Sequence, residues 1–461
     1  MTSSIIIQQE EKHHFHQSLS KFSCLMIGVG GLIGGGIFSV IGTISQFTGP
    51  YSYISYLITG LLTLITVYSY QKLNMKWNGP GGEYSVVKEA FLNTKYEPLG
   101  DFVGILLNFG YIVSMALYSY TFSVYFLLLV NIEPDMYSLS ITVISLFSIF
   151  TLLNLKGVEE SARFQNVLVM IKVLILIVFS VLGLIYALRN PTQLFLNVGF
   201  ESNSFNMMNI GGIIVGSAAI IVSYQGFQLI AYGSHEMKDI SGGMRMMRLS
   251  VIISLLVYVF VGFTALAVLG LTKLIGTGND AEIAIANAAL NFMGPFGAVI
   301  VIIGALLSTS SALNATILGS SRLIYMLGKD GMVFKKLSVI NKNKVPGNAI
   351  ILISILSVIF TIVTGGALAI ATVAGLIFSQ VFFIMNFTNY KARKKTSSKS
   401  TFPIIGMLTT FFMFVILLGN SILNFDKENV ALTIFILIEC FTASMVVLVY
   451  FKKKKISNGL S

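Results

Sequence analysis

Long apolar runs are the feature that most constrains this chain. A helix needs about 20 mostly apolar residues to cross a bilayer, and such runs recur along nearly the whole sequence. They lie at 22–47, 51–70, 102–130, 137–155, 167–187, 210–232, 249–271, 292–327, 349–364, 367–390, 402–423 and 430–451. Only 11% of the 461 residues are charged, where a soluble domain carries roughly 25%. A water-facing surface cannot be built from so few charges. The pattern predicts an all-α polytopic membrane protein with twelve transmembrane helices. The ninth and tenth runs are divided only by Gly365 and Gly366; joined, they exceed one crossing even when tilted.

Lys and Arg mark the cytoplasmic ends of spans, and here they gather in alternate connections. One set comprises Lys12 and Lys21, then Lys72, Lys76, Lys88 and Lys95, then Lys156 and Arg163, then Lys238, Arg245 and Arg248. It continues with the bases between Arg322 and Lys344, with Lys391, Arg393, Lys394 and Lys395, and with Lys452 to Lys455. The other connections are nearly free of base. Both termini are therefore predicted to be cytoplasmic, in a multi-pass cell-membrane protein. The net charge of +11 follows the same loops and suits anionic lipid headgroups, so it does not argue for nucleic acid. Residues 1–21 read as a cytoplasmic tail without the basic start of a signal peptide; His13, His14 and His16 in it read as solvated rather than metal-binding. Cys24 and Cys440 sit in apolar runs without metal spacing and are expected to be small buried side chains. No metal or cofactor is expected.

The first run contains "IGVGGLIGGGIFSVIG", residues 27–42, with seven glycines. Glycine costs a helix about 1 kcal/mol per residue against alanine. Three readings compete. Gly30/Gly34 and Gly31/Gly35 fit the spacing for close helix packing. Gly28, Gly30 and Gly34 approach a dinucleotide fingerprint, but position 33 is Ile and the strand–turn–helix context is missing. The third reading is a helix break at Gly34, Gly35 and Gly36. Irregular backbone survives in a membrane only where it lines a cavity. The N–H groups freed there would favour a carboxylate, and the carbonyls of Leu32 and Ile33 would suit an ammonium.

The first helix runs outward and the sixth inward, so helices one to five and six to ten form inverted repeats if they are repeats at all. Broken helices in corresponding places are a transporter plan. The sixth run carries "GSAAIIVSYQGFQLIAYGSHE", with Ser223, Tyr224, Gln225, Gly226 and Gln228 at its middle. Carbonyls near Val222, Ser223 and Gln225 would complete an amine site, with Tyr224 and Phe227 either covering a ligand or serving as ordinary core aromatics. The expected organisation is a tail at 1–21, a first repeat at 22–190, a second at 191–390, two further helices at 391–451 and a basic tail at 452–461.

Lys172 lies nine residues past Arg163, about 13–14 Å into the membrane. Buried lysines are readily deprotonated, so it reads as a proton carrier, a fixed ammonium bonded to first-helix carbonyls, or a snorkelling side chain. Glu83, Asp101, Glu159, Glu160, Glu236 and Asp239 fall near cytoplasmic helix ends, and Glu439 is expected to face a partner helix. The lack of a mid-membrane acid leans toward a zwitterionic substrate with a neutral side chain.

These residues carry a family resemblance. "GVGGLIGGGIF", "PGGEY" at 80–84, "NLKGVEESARFQNVLVMIKVL", "SYQGFQLIAYGSHEMKD" and "LSTSSALNATILGSSRLIYMLGKDG" resemble, in order, motifs of the amino acid–polyamine–organocation superfamily of permeases. The resemblance implies the LeuT-type fold of inverted five-helix repeats plus two helices, with an amino-acid site between the first and sixth. It implies that Lys172 stands where sodium-coupled relatives hold an ion, favouring protons, and that third-helix substrate contacts fall at Gly110 and Tyr111. The chain departs at Gln228, where the family often has Glu, and at His235-Glu236, where it has an acidic pair. The leading expectation is a proton-coupled amino acid transporter working by alternating access, with an amino acid/amine exchanger as the alternative. A channel would need a repeated filter sequence, and an enzyme would need clustered catalytic groups; neither is present in the sequence, nor is an ATP-binding lysine motif.

Overall fold

The computed structural model describes residues 20–77, 79, 81–157, 162–198, 207–233, 237, 239–276 and 278–457. The three tail histidines, Pro80, Glu159, Glu160, His235, Glu236, Lys238 and residues 458–461 lie outside them, as do the side chains of Arg163 and Lys452 to Lys455. The described fold is helical. In chain order it comprises α1 (Lys21–Leu32), α2 (Gly35–Thr48), a 3-10 turn (Gly49–Tyr51), α3 (Ser52–Lys76), α4 (Glu83–Ala90), α5 (Pro98–Leu129), α6 (Met136–Leu155), α7 (Ala162–Arg189) and α8 (Pro191–Val198). There follow α9 (Met207–Ala219), a 3-10 turn (Ile220–Tyr224), α10 (Leu229–Tyr232), α11 (Ile240–Ile275), a 3-10 turn (Gly278–Ile283) and α12 (Ala284–Lys329). The chain continues through α13 (Gly347–Thr364), α14 (Ala367–Lys391), α15 (Arg393–Thr396), α16 (Thr401–Leu423) and α17 (Phe425–Ser457).

Eleven segments among the described residues are long and apolar enough to cross a membrane. The first, Lys21–Lys76, has 56 residues and holds α1, α2 and α3, which the sequence divides between two runs. The 3-10 turn inside it begins at Gly49, with φ +57°, followed by Pro50. The division at Gly365 is present: this residue is left-handed, at φ +67°, and ends α13 as a glycine cap does. The eighth run begins near a kink. Gly294, at φ +68°, and Pro295 interrupt α12, because proline cannot donate to the preceding turn.

Burial separates inner from outer helices. α1, α2, α5 and α14 are buried along most of their length. α5 packs against α12 and α14, and α11 packs against α1, α3 and α7. α6, α7, α13, α16 and α17 carry exposed apolar side chains, among them Tyr137, Leu174, Ile355, Leu408 and Leu437, as lipid-facing helices do. Cys24 is buried, but Cys440 is exposed on α17, contrary to expectation, because it falls on the outer side of that helix. Buried hydroxyls bond the carbonyl one turn back, as in Ser45 to Ile41 and Thr63 to Thr59, both at 2.8 Å. That satisfies them without water. Glu439 faces a neighbouring helix as expected, accepting from Gln380 Nε2 at 2.6 Å.

Candidate functional site

The first run is two helices. α1 ends at Leu32, Ile33 has non-helical torsions (φ −78°, ψ +81°), and α2 starts at Gly35 after Gly34 (φ −117°, ψ −139°). The Gly34 N–H turns back to the Leu32 carbonyl at 2.9 Å. The N–H groups at the start of α2 have no carbonyl one turn earlier to bond, as at any helix start, and the helix dipole makes this end positive.

Glycine is required here by close approach. A Cβ on Gly34 would stand 2.6 Å from the Tyr118 ring, on Gly35 2.7 Å from Thr121 Oγ1, and on Gly36 2.4 Å from Ser223 Oγ. The Ser223 hydroxyl is buried and completes no hydrogen bond. Earlier glycines pack helices: Gly28 against Ser250 and Ile230, Gly30 against Val169, and Gly31 against Gly226 and Leu229.

The second break follows the same logic with different means. α9 tightens into the 3-10 turn Ile220–Tyr224, Gln225 is extended, and Gly226 has φ +126°. A Cβ on Gly226 would lie 2.4 Å from the Gly31 carbonyl carbon, so the two broken spans cross backbone to backbone. Gln228 Oε1 accepts from the Gly226 N–H at 2.8 Å. The Gln225 side-chain amide donates to the Tyr118 hydroxyl.

Lys172 is buried. Its Nζ donates to the Gly30 carbonyl at 2.8 Å, the Ile33 carbonyl at 2.6 Å and Ser311 Oγ at 3.3 Å. An ammonium has three donors, and all three are used. The side chain does not snorkel; it runs inward to the break. The Ile33 carbonyl also accepts from Ser308 Oγ at 2.6 Å, and the Leu32 carbonyl from the Tyr258 hydroxyl.

With this geometry in place, comparison with known proteins decides the family. The amino acid permease family model matches residues 19–440. The chain belongs to the amino acid permease family. It is 28% identical over 411 residues to the protein MJ0609 of Methanocaldococcus jannaschii, covering 87% of this chain and 89% of that one. It is 24% identical to the methylthioribose transporter of Bacillus subtilis, over 70% of each chain. It is 23% identical to the branched-chain amino acid permease BcaP of Bacillus subtilis, over 72% of this chain and 71% of that one. The protein is thus a membrane transporter of a permease family and not an enzyme.

The permease places the residues singled out in its sequence in three groups. Gly34, Gly35, Gly36, Ser223 and Gln225 meet at the crossing of the breaks. Leu32 and Ile33 flank it, but both lone pairs of each carbonyl are already engaged by Gly34, Tyr258, Lys172 and Ser308. The rest stand behind or below. Tyr224 donates to the Tyr56 carbonyl at 2.7 Å. Phe227 is buried between Tyr70 and Phe382, with ring centroids at 5.0 and 5.8 Å. The Val222 carbonyl accepts from the Gln225 N–H at 3.3 Å. Gly110 packs on Ile377 and Phe378 of α14, and Tyr111 donates to the Tyr232 hydroxyl at 3.1 Å.

Five residues of this environment are not apparent from the sequence: Tyr118, Thr121, Tyr258, Ser308 and Ser311. Tyr118 lies seven residues, about two turns, beyond Tyr111, so one face of α5 carries both. That spacing was the available signal.

Proposed function

We propose that this permease is a secondary active transporter that moves amino acids across the cell membrane by alternating access, coupled to protons. The observation that carries the reading is the crossing of two helix breaks at Gly31 and Gly226 in a chain of this family. The substrate carboxylate sits on the first N–H groups of α2, at Gly35 and Gly36, beside Gly34, whose own N–H bonds the Leu32 carbonyl, with the unpartnered Ser223 hydroxyl as a further donor. The amine sits on the sixth-span break, at the oxygens of Gln225. Tyr118 and Gln228 enclose the side chain, while Phe227, Tyr111, Tyr224, Val222 and Gly110 support from behind or below. Ile33 serves Lys172 and Ser308, and Leu32 serves Gly34 and Tyr258, rather than the ligand.

Several observations support the architecture in this reading. Lys21–Lys76 is 56 residues long, more than one crossing needs, and the Gly49-Pro50 turn inside it is where we divide it into two, for twelve in all. Breaks open the first and sixth spans, and short elements precede α5 and α12 in corresponding places. These features fit inverted repeats at 22–190 and 191–390, with 391–451 as an addition and both termini cytoplasmic by the Lys/Arg pattern. Lys172 couples the proton to the site because its ammonium holds the carbonyls that the first break releases. Among the described residues no acid bonds to either break, which favours a neutral substrate, as does the likeness to BcaP.

The test is uptake by proteoliposomes holding the purified permease, with a labelled amino acid competed by a full amino-acid panel under an inward proton gradient. Concentrative uptake of at least one amino acid is expected. Equal uptake with the gradient collapsed would contradict proton coupling, and indifference to the whole panel would contradict the substrate class.

A further inference from the structure

Glu83 begins α4, the short helix between the spans ending at Lys76 and beginning at Pro98. The sequence assigns it to a helix end. The structure buries it: the residue is 1% exposed. Its Oε1 accepts from the Tyr70 hydroxyl and its Oε2 from the Tyr232 hydroxyl, both at 3.3 Å. Tyr232 in turn accepts from Tyr111 at 3.1 Å. Gly82, at φ +56°, brings the start of α4 so close that a Cβ there would lie 2.6 Å from the Tyr232 ring. The carboxyl thus sits where α4 closes on α10, the end of the broken sixth span.

No cation pairs with it among the described residues. α3 presents Tyr70, α10 presents Tyr232, and α5 presents Tyr111. The neighbouring charges are engaged elsewhere: Lys88 and Asp330 bond each other and Tyr84, with Asp101 close to that ring. Lys391 of α14 lies over Tyr96 and Phe387. An unpaired buried carboxylate is costly, so such a group is held neutral. Burial pushes Glu83 up to about 7, with the two tyrosine donors pulling the other way.

We infer that Glu83 is a proton-binding site on the cytoplasmic gate: protonated while α4 is closed on α10, and releasing its proton to water when they part. The inference rests on the transporter reading and its orientation, and is independent of whether Lys172 titrates. The proton leaves the carboxyl for cytoplasmic water, and the carboxylate so formed resists reburial. The Tyr111–Tyr232 hydroxyl pair joins this carboxyl to the substrate region, since Gln228 borders Tyr111. The sign follows from linkage. A hydrated glutamate titrates near 4.3 and the buried one higher, so the closed gate loses relative stability as pH rises between the two values. Above the buried value the penalty is constant.

Hydrogen exchange of the full-length permease in nanodiscs tests this without knowledge of the substrate. With intrinsic rates divided out, protection of 83–90 and 229–232 is expected to fall about tenfold or more from about pH 4.5 to about pH 7.5, one factor of ten per pH unit lost at most. Glu83→Gln, a permanently neutral mimic, should stay protected throughout. Tyr232→Phe removes a donor to the charged form and should move the step to higher pH. A flat wild-type profile, or the same step in Glu83→Gln, would overturn the assignment. A step that survives Glu83→Gln would point to another group and leave proton-coupled transport standing; failure of the uptake experiment would count against the transporter reading instead. Should Glu83→Gln not fold, an unmoved step in Tyr232→Phe would overturn the assignment equally.

Discussion

The two helix breaks do one job by opposite means. The first is made of backbone: Ile33 and Gly34 leave the helix, and partners from elsewhere hold the released groups. These are Lys172 from α7, Ser308 from α12 and Tyr258 from α11, with Ser311 of α12 accepting from Lys172 in turn. The second is largely self-supporting. Gln228 caps the Gly226 N–H two residues away, and Gln225 N–H bonds the Val222 carbonyl. A break held by three distant side chains feels what happens in three other helices. A break held by its own residues keeps its shape. The first is therefore the break that shifts of other helices reach, and the second the one they leave in place. Tyr258 joins them, donating to both the Leu32 and the Ser223 carbonyls.

The largest effect is expected where the breaks touch. Gly36→Leu places a branched side chain where even a Cβ would stand 2.4 Å from Ser223 Oγ. Transport should fall at least about a hundredfold, as overpacking displaces the donors from the ligand, while membrane insertion persists. Unchanged binding affinity would make these glycines packing residues only. Next comes Lys172→Ala. It strands the Gly30 carbonyl, leaving that of Ile33 to Ser308 alone, at about 1–3 kcal/mol for a buried group left unpaired, and should abolish gradient-driven accumulation. An unchanged pH profile of uptake would reduce Lys172 to a structural cation.

Smaller effects probe the second break. Gln228→Ala leaves the Gly226 N–H without its acceptor and should raise KM, with a stability loss of about 1–3 kcal/mol. Gln228→Glu keeps the acceptor and should restore most of the stability; equal losses in a thermal-melt assay would show that the bond to Gly226 is not what matters. Smallest is Tyr224→Phe, which removes one hydrogen bond to Tyr56 at about 1 kcal/mol and should leave KM unchanged. A raised KM would return Tyr224 to the ligand wall.

Much of this was legible in the sequence because cost leaves a trace. Seven glycines in an apolar helix, and a lysine deep in a span, are expensive and so conspicuous. What the sequence hid has physical reasons. Over Ile220–Tyr224 the backbone turns with about 3.0 residues per turn instead of 3.6. Side-chain directions drift about 20° per residue from helical phase, and Tyr224 ends facing α3. Ser308, Ser311 and Tyr258 look like any polar residues of a span until the fold brings them to Ile33, Lys172 and Leu32. Glu282 was hidden in the connection between the seventh and eighth runs. It accepts from Tyr120 at 2.8 Å and from the Ala367 N–H at 3.2 Å.

The central claim is that the substrate binds between the breaks with its carboxylate on α2. A cryo-electron microscopy structure of the permease with the strongest competitor from the amino-acid panel tests it most directly. The account predicts ligand density at the crossing, its carboxylate within hydrogen-bonding reach of the Gly35 and Gly36 N–H groups and Ser223 Oγ. Density away from both breaks, with Gly34 to Gly36 still packed on Tyr118, Thr121 and Ser223, would contradict it.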